Sequence, residues 1–307
     1  MNEFDLNLKE IFDALWAKAF FIIIFTAIFA ISSIFYALSI PNIYKSETVL
    51  AFSSSDSSLS RMSGSSLGGL ASLAGVNIGS GSTPDSEIVV QVMQSWGFIE
   101  EFIKKNKLEP EIIAAKGWNR KENKLIYDDE IYDEKNNKWL RKSTEFIPSN
   151  PTSYELYEKF NGMYSVSKDP LSGLVSVTVE HFTPDSARNI LETFIQETND
   201  FMRNRKLDQV NQNIKYLESQ VKKTLVSETR KVLYSIIQEE YKNKMLAEVN
   251  FDFSFVVVQK AMTPEIKAKP KRAQIVLLMT LFAGILSCII ILIRFFVYKE
   301  ASDIQEK

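Results

Sequence analysis

Two uninterrupted apolar runs bracket a chain whose middle alternates between strand-like and helix-like patterns. Ala19–Leu38 and Ile275–Ile293 carry no charged residue. Twenty helical residues at about 1.5 Å each reach roughly 30 Å, the thickness of a bilayer core. Both runs are too long and too apolar for ordinary core helices, so two membrane spans are expected, drawn at 19–40 and 273–294. That leaves a short N-terminal segment at 1–18, a middle domain at 41–272 and a tail at 295–307. A cleaved signal peptide is the rival for the first run. Its apolar stretch is longer than a signal needs, and Glu3, Asp5, Glu10 and Asp13 outnumber Lys9 and Lys18 ahead of it.

Within the middle domain, Ile43–Phe52 is rich in β-formers and predicts a strand. Residues 53–83 hold 12 Ser and 6 Gly, the composition of a flexible loop. Leu67, Leu70 and Leu73 inside it read either as a short amphipathic helix touching lipid or sugar or, more plainly, as a small docking patch on a mobile loop. Thr83, Pro84 and Asp85 read as a helix start, followed by one apolar face of Ile88, Val89, Val92, Met93, Trp96, Ile99 and Phe102. Residues 107–150 are charged, with Trp118, Tyr127, Tyr132 and Trp139 scattered through them. Such aromatics either stack on sugar rings or pin a loop or short hairpin to the fold. Thr152 and Glu155 stand at capping-box spacing before another helix. Tyr164–Lys168 and Leu174–Phe182 predict two strands joined by "DPLSG", the second with Val175, Val177 and Val179 on one face.

Most of Asp185 to Val249 reads as helix. Leu207, Val210, Ile214, Leu217 and Val221 follow a 3-4-3-4 seam. A single rod of 65 residues would span roughly 98 Å. The twenty-two residues from 251 to 272 return at most about 79 Å when fully extended, so a rod cannot bring the chain back to the second span. A hairpin over 185–249 can, with a reversal near Thr224–Ser227 and Ser227 as the cap of the descending helix. Residues 251–262 then supply a returning strand. The expected fold is α+β: a small mixed β-sheet base and a long projecting helical hairpin, flanked by two transmembrane helices.

Charge and composition narrow the function. The net charge is −2 and basic and acidic residues balance between 41 and 272, so a nucleic-acid partner is not expected. The sole cysteine, Cys288, lies in the second span, which leaves the middle domain without disulfide or thiolate chemistry. Lys267, Lys269, Lys271 and Arg272 precede the second span, yet long domains cross membranes largely regardless of charge, so charge leaves the topology open. The sequence has no Walker loop, no G-x-G-x-x-G and no His/Cys set at metal spacing. The lone histidine, His181, ends a strand and reads as structural. No catalytic, cofactor-binding or metal-binding residues are assigned, and no enzyme activity is expected. Small residues four apart in the second span, Thr280, Gly284 and Cys288, are candidates for helix packing, with Ala283 and Ser287 repeating the spacing one residue earlier. Thr26 and Ala30, then Ser33 and Ala37, do the same in the first span.

The ordered set of these features resembles the Wzz-type polysaccharide co-polymerases, the chain-length determinants of Gram-negative inner membranes. It runs from the first span and "PNIYKSETVLAF", through "DPLSGLVSVTVEHFTPDSA" and "YLESQVKKT", to "TPEIKAKPKR" and the second span. The resemblance implies a periplasmic middle domain, cytoplasmic termini and a ring-shaped homo-oligomer. It implies work beside a Wzy-type polymerase on a growing lipid-linked polysaccharide at the membrane lipid, setting the modal length of O-antigen or a related surface glycan without catalysis. Pro264, Lys269, Pro270 and Lys271 match the family's proline-rich segment, whereas the further proline often found inside the second span is missing. Two other classes compete. One is the membrane activator of a split capsule or exopolysaccharide tyrosine kinase, although the tail "RFFVYKEASDIQEK" has no Walker motif. The other is a periplasmic efflux adaptor, which usually lacks a second span near its C-terminus.

Overall fold

A computed structural model describes residues 15–53, 86–143 and 148–305. The Ser/Gly-rich segment from 54 on, the helix start expected at Thr83–Asp85 and the first fourteen residues lie outside the described residues. In chain order the elements are helix α1 (Ala19–Ser39), strand β1 (Tyr44–Phe52), helices α2 (Ser86–Gln94), α3 (Trp96–Lys105) and α4 (Glu109–Ile113), and strands β2 (Ala115–Asn119), β3 (Lys124–Tyr127), β4 (Tyr132–Asp133) and β5 (Lys138–Trp139). Helix α5 (Ser153–Met163), strands β6 (Tyr164–Lys168) and β7 (Val175–His181), helices α6 (Pro184–Lys223) and α7 (Ser227–Val249), strand β8 (Phe255–Gln259) and helix α8 (Arg272–Gln305) complete it. They divide into two compact units: Met1–Ile43 with Lys267–Lys307, and Tyr44–Ile266.

The smaller unit is the pair α1 and α8. Both are long and apolar enough to cross a membrane, over Ala19–Ser39 and Arg272–Phe295. Helix α8 does not stop where the apolar run does. It continues to Gln305, through the segment expected as a tail, because nothing after Gly284 breaks a helix. Hydropathy marks the edge of the lipid-facing surface and carries no signal for the end of the backbone hydrogen bonding.

The larger unit is built on a four-stranded sheet in the order β6-β7-β1-β8. Every pairing is antiparallel, so the expected mixed sheet is corrected. Neighbours β6 and β7 form a hairpin around "DPLSG", where Gly173 takes a positive φ of 71° and Asp169 accepts from Leu171 N–H and Ser172 Oγ. Strand β8 is shorter than the expected 251–262. Its entry is fixed by Asn199, whose Oδ1 accepts from the amides of Ser254 and Phe255 at 3.0 and 2.9 Å, so regular pairing begins only there.

One sheet face packs against the first half of α6. Leu50, Val175, Val177, Val179 and Phe255 meet Ile190, Leu191, Phe194 and Ile195, all nearly or fully buried. Phe194 sits at the centre, its ring 5.0–5.6 Å from those of Phe98, Phe102, Phe160 and Tyr164. The capping box of α5 forms as the sequence predicts, with Glu155 N–H on Thr152 Oγ1 and Thr152 N–H on Glu155 Oε2. Thr183 likewise caps α6, accepting from Ser186 N–H at 3.1 Å.

The hairpin forms too. Helix α6 ends at Lys223 and α7 starts at Ser227. Val210 and Ile214 are buried on α6, as are Ile237 and Ala247 on α7. Asn213 donates to Glu240 and Tyr241 to Glu218, as antiparallel helices require. Ser227 is the first helical residue of α7; Val226 takes the cap position and makes no side-chain cap bond. The apolar face expected to run unbroken from Ile88 to Phe102 is divided, since Ser95 adopts an extended backbone (φ −74°, ψ 140°) between α2 and α3. The charged stretch 107–150 folds, in its described part, into helix α4 and two short hairpins, β2–β3 and β4–β5. Trp118 stands edge-on to Tyr44, and Trp139 and Tyr127 both pack against Tyr132.

Candidate functional site

Within the smaller unit, α1 and α8 meet through small side chains. Ser33 and Ala37 on one helix and Ala283 and Ser287 on the other are almost wholly buried. Their hydroxyls are satisfied inside their own helices, Ser33 on Ala30 O and Ser287 on Gly284 O, both at 2.7 Å. What they offer the opposite helix is close approach. Gly284 joins this contact, since a Cβ there would lie 3.7 Å from Thr26 Cγ2. Thr280 and Cys288 are half-buried on the flank of the buried Ala283–Ser287 pair.

The junction below α8 is tied by hydrogen bonds. Ile43 N–H donates to Lys269 O at 2.9 Å and Ala268 N–H to Ile43 O at 2.8 Å, forming an isolated antiparallel bridge. The Lys269–Pro270 bond is cis. Lys271 N-terminally flanks α8, and its carbonyl accepts from Gln274 and Ile275. Pro264, by contrast, falls in the larger unit. In the sequence Arg272 stands only as one charge of a basic cluster. In the fold its Nε donates to Ala37 O at 2.8 Å and its Nη2 to Ile40 O and Asn42 Oδ1 at 3.3 and 3.1 Å. It thereby satisfies carbonyls left open where α1 ends.

In the larger unit the polar groups of interest are held for structure. His181 is buried with no side-chain exposure, its Nε2 3.7 Å from Glu111 Oε1. Its Nδ1 accepts from Thr183 N–H at 3.4 Å, and burial pushes the imidazole pKa down, against the attraction of Glu111. Arg141 grips Glu155 with two bonds of 2.8 Å and holds that carboxyl below its usual range. Burial pushes the Tyr127 hydroxyl up to about 12. Among the described residues no group of three or more His, Cys, Asp or Glu could hold a metal ion. A groove of about 670 Å³ runs between α3 and α6, bridged by the Lys105–Glu197 ion pair, with Phe98 and Phe201 at its floor.

The hairpin bears an exposed apolar surface. On α7, Val232, Ile236, Met245 and Val249 turn outward, Met245 65% and Val249 76% exposed, and Leu225 in the reversal is 90% exposed. The inner seam of α7 is already filled by Ile237 and Ala247 against α6, so these residues form a second apolar face.

No curated protein matches the chain. Among solved structures, a full-length bacterial polysaccharide co-polymerase is 11% identical with a TM-score of 0.40, over 95% of this chain and 99% of that one. A fragment of WzzB, a polysaccharide co-polymerase from Salmonella Typhimurium, is 12% identical with a TM-score of 0.32, over 74% of this chain and all of that one. The first span, β1, α2 and α3 fall within residues 4–106, and over those residues the chain matches the family model described as Wzz, chain length determinant protein.

Proposed function

We propose that this protein regulates the modal chain length of O-antigen lipopolysaccharide, or a related surface polysaccharide, as a non-catalytic co-polymerase beside a Wzy-type polymerase. The observation that carries the proposal is the chain-length-determinant match over 4–106 in a chain whose two apolar helices flank a larger α/β unit. In this reading the spans lie in a Gram-negative inner membrane and the larger unit in the periplasm. Copies assemble side by side in a ring through the outer face of α7, whose exposed apolar residues water alone would not favour. The assembly acts by geometry, biasing when the polymerase lets go of a growing lipid-linked glycan.

Deleting the gene should leave glycan synthesis running and flatten the length distribution on a gel, and the wild-type chain should restore the mode. Loss of all polymer would point instead to a polymerase or exporter. Sidedness is read by replacing Cys288 with Ser and placing a cysteine at Leu171, 96% exposed in the β6–β7 turn. A membrane-impermeant thiol reagent, admitted through a permeabilised outer membrane, should label it in cells whose inner membrane is intact.

A further inference from the structure

The extended backbone at Ser95 does more than divide two helices. It sets Trp96 at the first position of α3 and turns its indole to the surface. Trp96 is 46% exposed, yet its ring is fixed. One contact is a near-parallel stack on Tyr157, centroids 5.8 Å apart at 17°. Tyr157 is itself tethered through its hydroxyl to Gln94 O at 3.4 Å. The indole Nε1 donates to Ser153 Oγ at 2.8 Å. Tyr154, 55% exposed, lies 5.9 Å away, tilted by 59°. A Cβ built on the neighbouring Gly97 would meet nothing within 4 Å, so the surface beside the indole is open. Two carboxylates edge the rings: Glu100, paired with Lys104 at 2.5 Å, and Glu158, which accepts from the Tyr154 hydroxyl at 3.1 Å.

We propose that Trp96 and Tyr154 form a platform that binds a pyranose ring of the glycan. The identity of that glycan rests on the function proposed above; the chemistry of the site does not. A pyranose presents an apolar face of C–H groups and a girdle of hydroxyl donors. A locked aromatic plane takes the first at little entropic cost. Carboxylates at the edge accept from the second in charge-assisted hydrogen bonds. At about half exposure the two rings offer roughly 150–250 Å², enough for one sugar unit and well short of the roughly 1,000 Å² that a stable contact between copies needs. Glu158 disfavours an anionic lipid surface, while the charge of Glu100 is offset by Lys104.

The test uses the full chain in detergent and, as probe, the producing cell's surface polysaccharide released from its lipid. Saturation-transfer NMR should show saturation of the sugar ring protons. Trp96→Ala and Tyr154→Ala should each weaken binding about tenfold, with Trp96→Phe in between; Tyr154 is exposed enough that its loss spares the fold. Three results would overturn the platform: no saturation with the wild-type chain, equal binding by wild type and both alanine variants, or Trp96-dependent binding to phosphatidylglycerol vesicles instead. The gel experiment on gene deletion uses the wild-type chain alone, so its failure would sink the functional reading while leaving this binding measurement standing.

Discussion

The guanidinium of Arg272, at the first residue of α8, donates to the carbonyl of Ala37 near the end of α1 at 2.8 Å. Together with its bonds to Ile40 and Asn42, this clasps the start of one span to the finish of the other. A guanidinium can serve three acceptors in one plane where an ammonium acts as a point charge. Arg272→Ala should therefore cost about 1.5–3 kcal/mol, and Arg272→Lys should recover only part of it. The measurement is thermal unfolding of the full chain in detergent. A lysine variant as stable as wild type would show that charge alone matters.

Asn199 is the corresponding device in the larger unit. It is 5% exposed, accepts from Ser254 and Phe255 N–H, and donates through Nδ2 to Phe255 O at 3.0 Å. Asn199→Leu leaves those buried backbone groups unpaired, at about 1–3 kcal/mol each. Amide hydrogen exchange should speed up at Ser254 and Phe255 first, ahead of the β6–β7 hairpin. Uniform acceleration across the sheet would contradict a local role.

Which of these features the residues announced depends on the range of the interaction. The capping box at Thr152–Glu155 and the valine alternation of β7 are set by neighbours within a few positions, and both are legible. The hairpin reversal followed from chain length alone, because a single rod could not return. Asn199 and Arg272 gave no such signal: their partners lie 55 and 235 residues away. The kink at Ser95 was also hidden, since the apolar stripe continues through it and only packing against Tyr157 and Ser153 reveals the turn. Thr280–Gly284–Cys288 and Ala283–Ser287 share the same four-residue spacing, so spacing alone does not rank the two stripes against the other helix.

His181 gives the fold a pH dependence. Burial holds its pKa below the ordinary 6.5. In the unfolded chain the imidazole takes up a proton near 6.5, while in the folded one it resists. The unfolded state therefore binds more protons once pH falls below about 6.5, and stability declines from there until the folded-state pKa is passed. Above 6.5 the group contributes no slope. Depressed carboxylates such as Glu155 add their own loss only lower, below the usual 4.5. His181→Gln should flatten the upper part of the profile and leave the lower part unchanged, as read by chemical denaturation between about pH 3 and 7.

The outer face of α7 separates assembly from folding. Met245 and Val249 are 65% and 76% exposed and stand clear of the Ile237–Ala247 seam. Met245→Glu with Val249→Glu should change monomer stability by no more than about 0.5 kcal/mol, as surface substitutions do. In sedimentation or mass photometry the same variant should fall to smaller species than wild type. If the double variant assembles normally, the proposed ring contact lies elsewhere.

Span packing makes a sharper distinction among small residues. Gly284 lies close to α1, but a Cβ there would sit 3.7 Å from Thr26 Cγ2, an ordinary van der Waals distance. Gly284→Ala should be tolerated, and its better helix propensity even favours it slightly. Ala283 and Ser287 have no exposure at all, so a larger side chain at either has nowhere to go. Ala283→Leu should force the helices apart at a cost of about 1–3 kcal/mol. A disulfide between cysteines placed at Thr26 and Gly284, in a chain with Cys288→Ser, reports the approach directly. Its yield under mild oxidation should drop when Ala283→Leu is added and stay high with a leucine at the exposed Phe282 instead. Equal yields in the two backgrounds would mean that the helices do not meet along the Ala283–Ser287 line.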